Sequence, residues 1–405
     1  MNTTAKGFCA GTHRAVSPSE TLARAQPLLA AMGITRIANV TGLDRLGCPV
    51  VNVFRPNSRS LSVAQGKGLT LEAAKASGVM EAIESFHAER IELATETGSY
   101  NDVAPSRSIV DLDGLPRLQG TRFDADRPLT WIEGQNLMNG ASVWLPYETV
   151  HTNYTLPKLP DAGCFVASTN GLASGNHRLE AIGHGITEVM ERDANTLWDQ
   201  LPGEAKTATM LDPATIDDDA CRSLIARLRE NGMAVGIWDM TTDIQVASFY
   251  CLILDERLDG AHSGAGAGSH PSREIALLRA LTEAVQVRTN YITGARDDLA
   301  REEYQPDGVA RKNRYAERLI GAMPATPVDY RTIPTQFFET FEEETDWLLR
   351  QLADTGIGEV VCVDLTRPEF EIPVVRMVIP GLEGPHDHDD YCPGARSHSR
   401  LKAMS

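Results

Sequence analysis

One pattern occurs three times along this chain and limits its fold more than any other feature. A helical segment ends near a glycine, a strand-like run closes on an aspartate, and a second strand-like run follows a turn. The copies are LLAAMGITRIANVTGLDRLGCPVVNVFRP (28–56), LIARLRENGMAVGIWDMTTDIQVASFYCLILD (224–255) and LLRQLADTGIGEVVCVDLTRPEFEIPVVRMVIP (348–380). Gly33, Gly232 and Gly356 suit the position just past a helix, where a left-handed backbone is needed. Asp44, Asp239 and Asp364 open turns between runs rich in Val and Ile. Three α-β-β units with long helices between them predict an α+β protein of mixed or antiparallel sheets with helices packed on them.

A second repeat lies in the long helices. In SGVMEAIES (77–85), Ser77, Glu81 and Glu84 fall at i, i+4 and i+7, as do Arg279, Glu283 and Gln286 in RALTEAVQVR (279–288). In HGITEVMERD (184–193), Glu188, Glu191 and Arg192 fall at i, i+3 and i+4. Each set shares one helical face. The residues between them, such as Val79, Ile83, Ile186, Val189, Leu281 and Val285, are apolar, so each helix reads as buried apart from a narrow polar stripe. Buried carboxylates need cationic partners. Glu81, Glu84, Glu188, Glu191 and Glu283 are held together by a divalent cation, by basic side chains or by both, and a magnesium-nucleotide site meets that need. The competing reading is a set of solvated faces with i,i+4 ion pairs. Such faces would interleave Lys and Arg with Glu over several turns, which these do not.

Three glycine- or asparagine-bearing segments precede the striped helices. QGKG (65–68) and GAGAG (264–268) lack both the P-loop and the GxGxxG spacing. They read either as plain turns or as loops offering backbone N–H groups to phosphate, with Lys67 adding a charge. In STNGLASGN (168–176), Asn170 either donates to a phosphate or caps a turn. In GTHRAVSPSET (11–21), Arg14 and Thr21 close over a nucleotide, or SPSET simply starts a helix capped by Ser17 or Ser19. HDHDD (386–390) is either a transition-metal site of His386, His388, Asp389 and Asp390 or a solvated stretch. No GxSxG marks a nucleophilic serine.

Composition narrows the class. At 405 residues and 42% hydrophobic, the chain buries a large core. A net charge of −17 repels polyanions, so nucleic acid is not expected as a partner, whereas a peptide or protein with a basic segment is compatible. The seven cysteines are scattered without CxxC, which argues against disulfides and zinc knuckles and for buried thiols. No apolar run of about 18 residues is present and MNTTAKGFCAGTHR lacks a signal-peptide core, so the expectation is a cytoplasmic protein without membrane association.

The segments QGKGLTLEAAKASGVMEAIES, STNGLASGNHRLEAIGHGITEVMERDA and HPSREIALLRALTEAVQVRTNYITGARDDL resemble the YcaO family, ATP-dependent enzymes that modify peptide backbone amides. The resemblance runs from about residue 10 to 396. It implies a YcaO-like fold around a nucleotide site and a requirement for ATP and Mg²⁺. Ser77, Glu81, Glu84, Asn170, Glu188, Glu191, Arg192, Arg279, Glu283 and Gln286 match the family's nucleotide and magnesium residues, and Arg14 and Thr21 match its N-terminal nucleotide contacts. The expected organisation is an α-β-β segment (1–60) integral to the fold, an ATP-binding catalytic domain (61–385) and an irregular tail (386–405). Azoline-forming members commonly end in PxPxP, whereas this chain ends YCPGARSHSRLKAMS. TGLDRLGCPV (41–50), ITGARDDL (292–299) and VIPGLEG (378–384) resemble the members paired with a TfuA protein, which install thioamides. The expected activity is therefore thioamide formation on a ribosomal peptide or protein, with a TfuA-like partner delivering sulfide, and the family resemblance implies a homodimer. The alternatives are an azoline-forming cyclodehydratase acting on Cys, Ser or Thr, and a nucleotide-binding scaffold assisting a methylthiotransferase.

Overall fold

The computed structural model describes residues 4–158, 162–257, 260–387 and 390–404. Each α-β-β unit is present, and each gains a third strand and a striped helix. In the first, however, the helix lies upstream of the 28–56 stretch, and residues 29–33 form turns instead of the expected helix end. In the first unit, the Pro18–Ala25 helix leads into strands Arg36–Asn39, Val50–Phe54 and Val63–Lys67 and then the first striped helix, Leu71–Glu89. The second unit runs through the Asp219–Glu230 helix, strands Met233–Asp239, Ser248–Asp255 and Gly264–Ser269, and the third striped helix, Arg273–Thr293. Both sheets are antiparallel throughout. Gly33, Gly232 and Gly356 take φ of +70°, +74° and +87°, the left-handed turn expected after each helical segment.

The third unit closes differently. The Phe341–Asp354 helix and strands Val361–Asp364 and Val374–Val378 come last in the chain, but their third strand is Leu172–Ser174, followed by the second striped helix, Arg178–Asp199. Val374–Val378 pairs antiparallel with Leu172–Ser174, so this unit is assembled from two distant stretches. Its sheet continues on the other side through Leu129–Asn136 to Thr95–Gly98 and Ser142–Pro146. A two-residue parallel pair, Leu211–Asp212 with Val328–Asp329, completes a mixed set of sheets.

Apolar side chains bind each helix to its sheet. Val79 and Ile83 pack with Val51 and Val53, Leu277 and Leu281 with Phe249 and Cys251, and Ile182 and Ile186 with Val375. The glycine-rich segments serve this packing. GAGAG is the strand Gly264–Ser269, and a Cβ at Gly266 would overlap the Ala280 carbonyl oxygen and the Ala284 nitrogen of the third striped helix. At Gly66 a Cβ would overlap the Ala74 carbonyl oxygen of the first. The reading of these segments as flexible phosphate loops is therefore corrected: they are strands whose glycines let a helix lie against the backbone.

Two boundaries also differ from expectation. Strands on either side of residue 60 pair in one sheet, so the first unit straddles that point. The tail contains a helix, Ala395–Met404, where irregular chain was expected. Arg396 Nε fixes it at 3.0 Å from Asp193 Oδ1, and Ser397 N donates to Glu383 Oε1 at 2.8 Å. Cys48, Cys164, Cys221, Cys251 and Cys362 are buried free thiols, and among the described residues no helix is long and apolar enough to cross a membrane.

Candidate functional site

All three stripes open onto one cavity of about 710 Å³, within the size range of ligand sites. Their side chains follow a common register measured from the last residue of the preceding strand, Lys67, Ser174 or Ser269. Ser77, His184 and Arg279 come first, one helical turn later Glu81, Glu188 and Glu283, and then Glu84, Glu191 and Gln286; all nine line the cavity. His184 is the member that the sequence reading passed over. It stands four residues before Glu188, the same spacing as Ser77 to Glu81.

The strand ends tie the helices into a ring. Ser174 donates to Glu84 Oε1 from its N at 2.8 Å and its Oγ at 2.7 Å. Ser269 N donates to Glu191 Oε2 at 3.0 Å, and Lys67 Nζ donates to Glu283 Oε2 at 2.5 Å. Each striped helix is thus joined to a neighbouring unit's strand, first to third, third to second and second to first.

Electrostatics make the cluster incomplete without a cation. Burial pushes the Glu81 carboxyl up to about 7 against the pull of Lys67, although its side chain opens into the cavity. Burial likewise raises Glu84 to about 8 against the Ser174 hydrogen bonds, and Glu188 to about 7 against Arg192. Glu191 is raised by burial and by the neighbouring Glu283. Burial opposes ionisation of Glu283 too, but Lys67 and Arg192 hold it below its ordinary value. Five carboxylates lining one cavity supply the hard oxygen donors that a divalent cation takes.

Beside the acidic cluster lies a cationic rim. Arg14, Lys67, Arg192 and Arg279 line the cavity, and burial lowers both Arg14 and Arg279. Arg14 Nε is buried without a hydrogen-bond partner, an orphan donor aimed where a polyphosphate would fit. His184 is held well below its usual value by its enclosure among protein atoms and by Arg279, Arg14 and Lys67, although its side chain opens into the cavity. Asn170 also lines the cavity, with a buried, unpartnered Oδ1.

The N-terminal segment is strapped across this rim. Lys6 N donates to Glu339 O at 3.0 Å, and Phe8 and Arg14 form an antiparallel bridge. Lys6 Nζ lies 2.6 Å from Glu344 Oε2 and 3.1 Å from His13 Nδ1. His13, His270 and Glu344 bring potential ligand atoms within 4.8 Å of one another. Lys6 already occupies Glu344 and His13 of that group, and His270 Nδ1 accepts from Ser272 N at 3.0 Å, which leaves the hydrogen on Nε2. The cluster is therefore an ion-paired strap. Sequence patterning gave no signal for it, because the segments that carry Lys6 and His13, His270 and Glu344 lie more than 70 residues apart.

Not every expected residue reaches the site. Thr21 lies in the Pro18–Ala25 helix, 2% exposed, and its Oγ1 donates to Ser17 O at 3.0 Å; it does not line the cavity. Ser17, with Glu20, caps that helix. His386 lies beside Thr196, with Nδ1 3.3 Å from Thr196 Oγ1. The rest of the HDHDD reading turns on His388 and Asp389, which lie outside the described residues.

An α+β frame whose helices converge acidic groups beside a cationic rim defines a protein class suited to holding a divalent cation against a nucleotide. The chain belongs to the YcaO family: residues 65–383 match the model described as YcaO cyclodehydratase, ATP- and Mg²⁺-binding. It is 35% identical, over 91% of this chain and 88% of the relative, to an uncharacterized protein in the tfuA 3′ region of Rhizobium leguminosarum bv. trifolii. The structure of YcaO from Methanopyrus kandleri bound with AMPPCP and Mg²⁺ is 25% identical, with a TM-score of 0.76 over 96% of this chain and 98% of that one. A heterocyclase in complex with substrate and cofactor gives a TM-score of 0.79 at 20% identity, a likeness of fold; it covers 95% of this chain, which spans 54% of that heterocyclase.

Proposed function

We propose that this chain uses ATP and Mg²⁺ to convert a backbone amide of a ribosomal peptide or protein into a thioamide, with a sulfide equivalent supplied alongside a TfuA-like partner. The observation that carries the thioamide reading is the relative in the tfuA 3′ region. The nucleotide and metal part is supported by the stripes meeting in one cavity. Glu81, Glu84, Glu188, Glu191 and Glu283 hold Mg²⁺. Arg14, Lys67, Ser77, Asn170 and Gln286 contact the nucleotide, and Arg192 and Arg279 stabilise the transferring phosphoryl group. Mg²⁺, when bound, neutralises charge on the triphosphate.

An amide carbonyl is a weak electrophile and its oxygen a poor leaving group, so exchanging oxygen for sulfur needs activation. Sulfide attacks the carbonyl carbon, the resulting oxyanion takes the γ-phosphoryl group from the substrate ATP, and loss of phosphate leaves C=S. Preorganised guanidinium groups favour the spread of negative charge during transfer. No step needs a covalent nucleophile from the protein. The cavity-lining carboxyls pushed up to about 7 or 8 can accept or release protons near neutrality when no metal is bound.

The test is mass spectrometry of a candidate peptide incubated with the chain, its TfuA-like partner, ATP, Mg²⁺ and sulfide. Replacement of one oxygen by sulfur is expected. Loss of one water would establish the azoline reading instead, and an unmodified peptide with no ATP hydrolysis would favour a scaffold.

A further inference from the structure

Arg376, in the Val374–Val378 strand, is only 3% exposed, yet its Nε and Nη1 make no hydrogen bond among the described residues. It lines a separate chamber of about 40 Å³. Asn170, whose buried Oδ1 is unpartnered, lines the same chamber, and Leu115, Val166, Val189 and Leu382 supply apolar walls. Ser168, Asn170 and Pro385 line both this chamber and the large cavity, so the two abut. Glu383 also borders the chamber, but its oxygens are committed to the tail: Oε1 accepts from Ser397 N at 2.8 Å, and Oε2 accepts from Tyr391 Oη and Gly394 N, each at 2.8 Å.

A buried guanidinium with unpaired N–H groups attracts an anion, because burial lowers Arg376 and its neighbours Tyr154 and Glu188 offset that cost only in part. The chamber exceeds the space that one water needs but offers room for little more than a single heavy atom. Its free donors sit on Arg376 and its free acceptor on Asn170; Ser168 Oγ already accepts from Asn170 N at 3.3 Å, Thr149 Oγ1 donates to Pro146 O at 2.7 Å, and apart from these and Glu383 the walls are apolar. The guest that fits is a small, polarisable anion carrying one hydrogen: it accepts from Arg376 and donates to Asn170. We propose that the chamber binds hydrosulfide and holds it beside the Glu188 edge of the nucleotide cavity as the nucleophile of the reaction. This assignment rests on the thioamide reading above.

The chemistry balances. The sulfur lone pair of HS⁻ forms the C–S bond as the carbonyl π pair moves to oxygen. That oxygen displaces ADP from the γ-phosphorus. The C–O bond then breaks, with phosphate leaving as HPO₄²⁻ after taking the S–H proton, and C=S remains. Amide, HS⁻ and ATP thus give thioamide, ADP and phosphate without an oxidant or reductant.

Bromide serves as the probe. Crystals of the full chain soaked in sodium bromide are expected to show an anomalous peak against Arg376 Nε and Nη1. The peak should vanish in Arg376→Met, which keeps an unbranched apolar stem without the guanidinium, and should weaken as sodium hydrosulfide is added to wild-type crystals. No peak at Arg376, or a peak that persists in Arg376→Met, overturns the site. A peak unmoved by hydrosulfide marks an adventitious ion only and overturns the assignment; this arm needs no variant. A thioamide product without bromide at Arg376 refutes the chamber alone. Bromide displaced by hydrosulfide alongside an azoline product upholds the binding site and refutes its role as nucleophile.

Discussion

Glu81, Glu84 and Glu188 titrate from about 7 to about 8 in the folded chain, against an ordinary 4.5. The folded state therefore binds more protons than the unfolded one across that interval, and stability falls as pH rises through it. His184 and His270 act oppositely, since their depressed values add stability as pH rises towards 6.5. The carboxylate effect is therefore read best between roughly pH 7 and 8, above the histidine range and below that in which the buried thiols, raised by burial, also oppose rising pH. The metal-free chain should melt at a lower temperature at the upper end of that range, with Mg²⁺ closing the gap; a metal-free melting point that climbs with pH contradicts the cluster. Glu191→Gln should lower ATP turnover by at least about 100-fold while candidate-peptide affinity changes little, since outer-shell partners of a metal alone are worth roughly 10- to 100-fold. Steady-state ATP hydrolysis and peptide titration together check this. Most of these residues were legible, because a buried carboxylate at helical spacing among apolar neighbours has few explanations. His184 was equally visible by spacing, but an uncharged imidazole raises no demand for a counter-ion. Arg376 was invisible, since its isolation is a property of packing.

Elements were legible where their signals are local. Glycine after a helical segment marked all three units, and aspartate closes a strand in two of them, Asp239 and Asp364, whereas Asp44 follows the short helix Thr41–Leu43 beyond its strand. The GAGAG strand went unrecognised because glycine and alanine lack the branched side chains that advertise strands, and the need for small residues arises only from the helix lying across them. Gly266→Ala should cost about 1–3 kcal/mol by overpacking, seen as a lower urea midpoint with an unchanged slope. A neutral result would show that strand and helix can separate freely. The Lys6–Glu344 strap, built from Lys6 at the N-terminus and the Phe341–Asp354 helix, belongs to the same scale. Glu344→Gln should loosen Arg14 over the rim and raise the KM for ATP by roughly tenfold, equivalent to about 1.4 kcal/mol, with kcat largely kept. A lowered kcat with unchanged KM would remove the strap from nucleotide binding.

At the scale of the molecule, the third unit borrows its last strand and striped helix from residues 172–199, nearly 150 residues before its first helix at 341. No periodicity along the chain announces such a pairing, so the sequence showed three partial units without the ring that they close. That ring is what brings Glu84, Glu191 and Glu283 to neighbouring strand ends and gives one cavity instead of three surface stripes. The most direct test replaces Mg²⁺ by Mn²⁺ in crystals grown with AMPPCP and locates the metal by its anomalous signal. Peaks among Glu81, Glu84, Glu188, Glu191 and Glu283, with the triphosphate against Arg14, Lys67 and Arg279, are the expected result. Manganese and nucleotide bound elsewhere, with this cavity holding neither, would contradict the account.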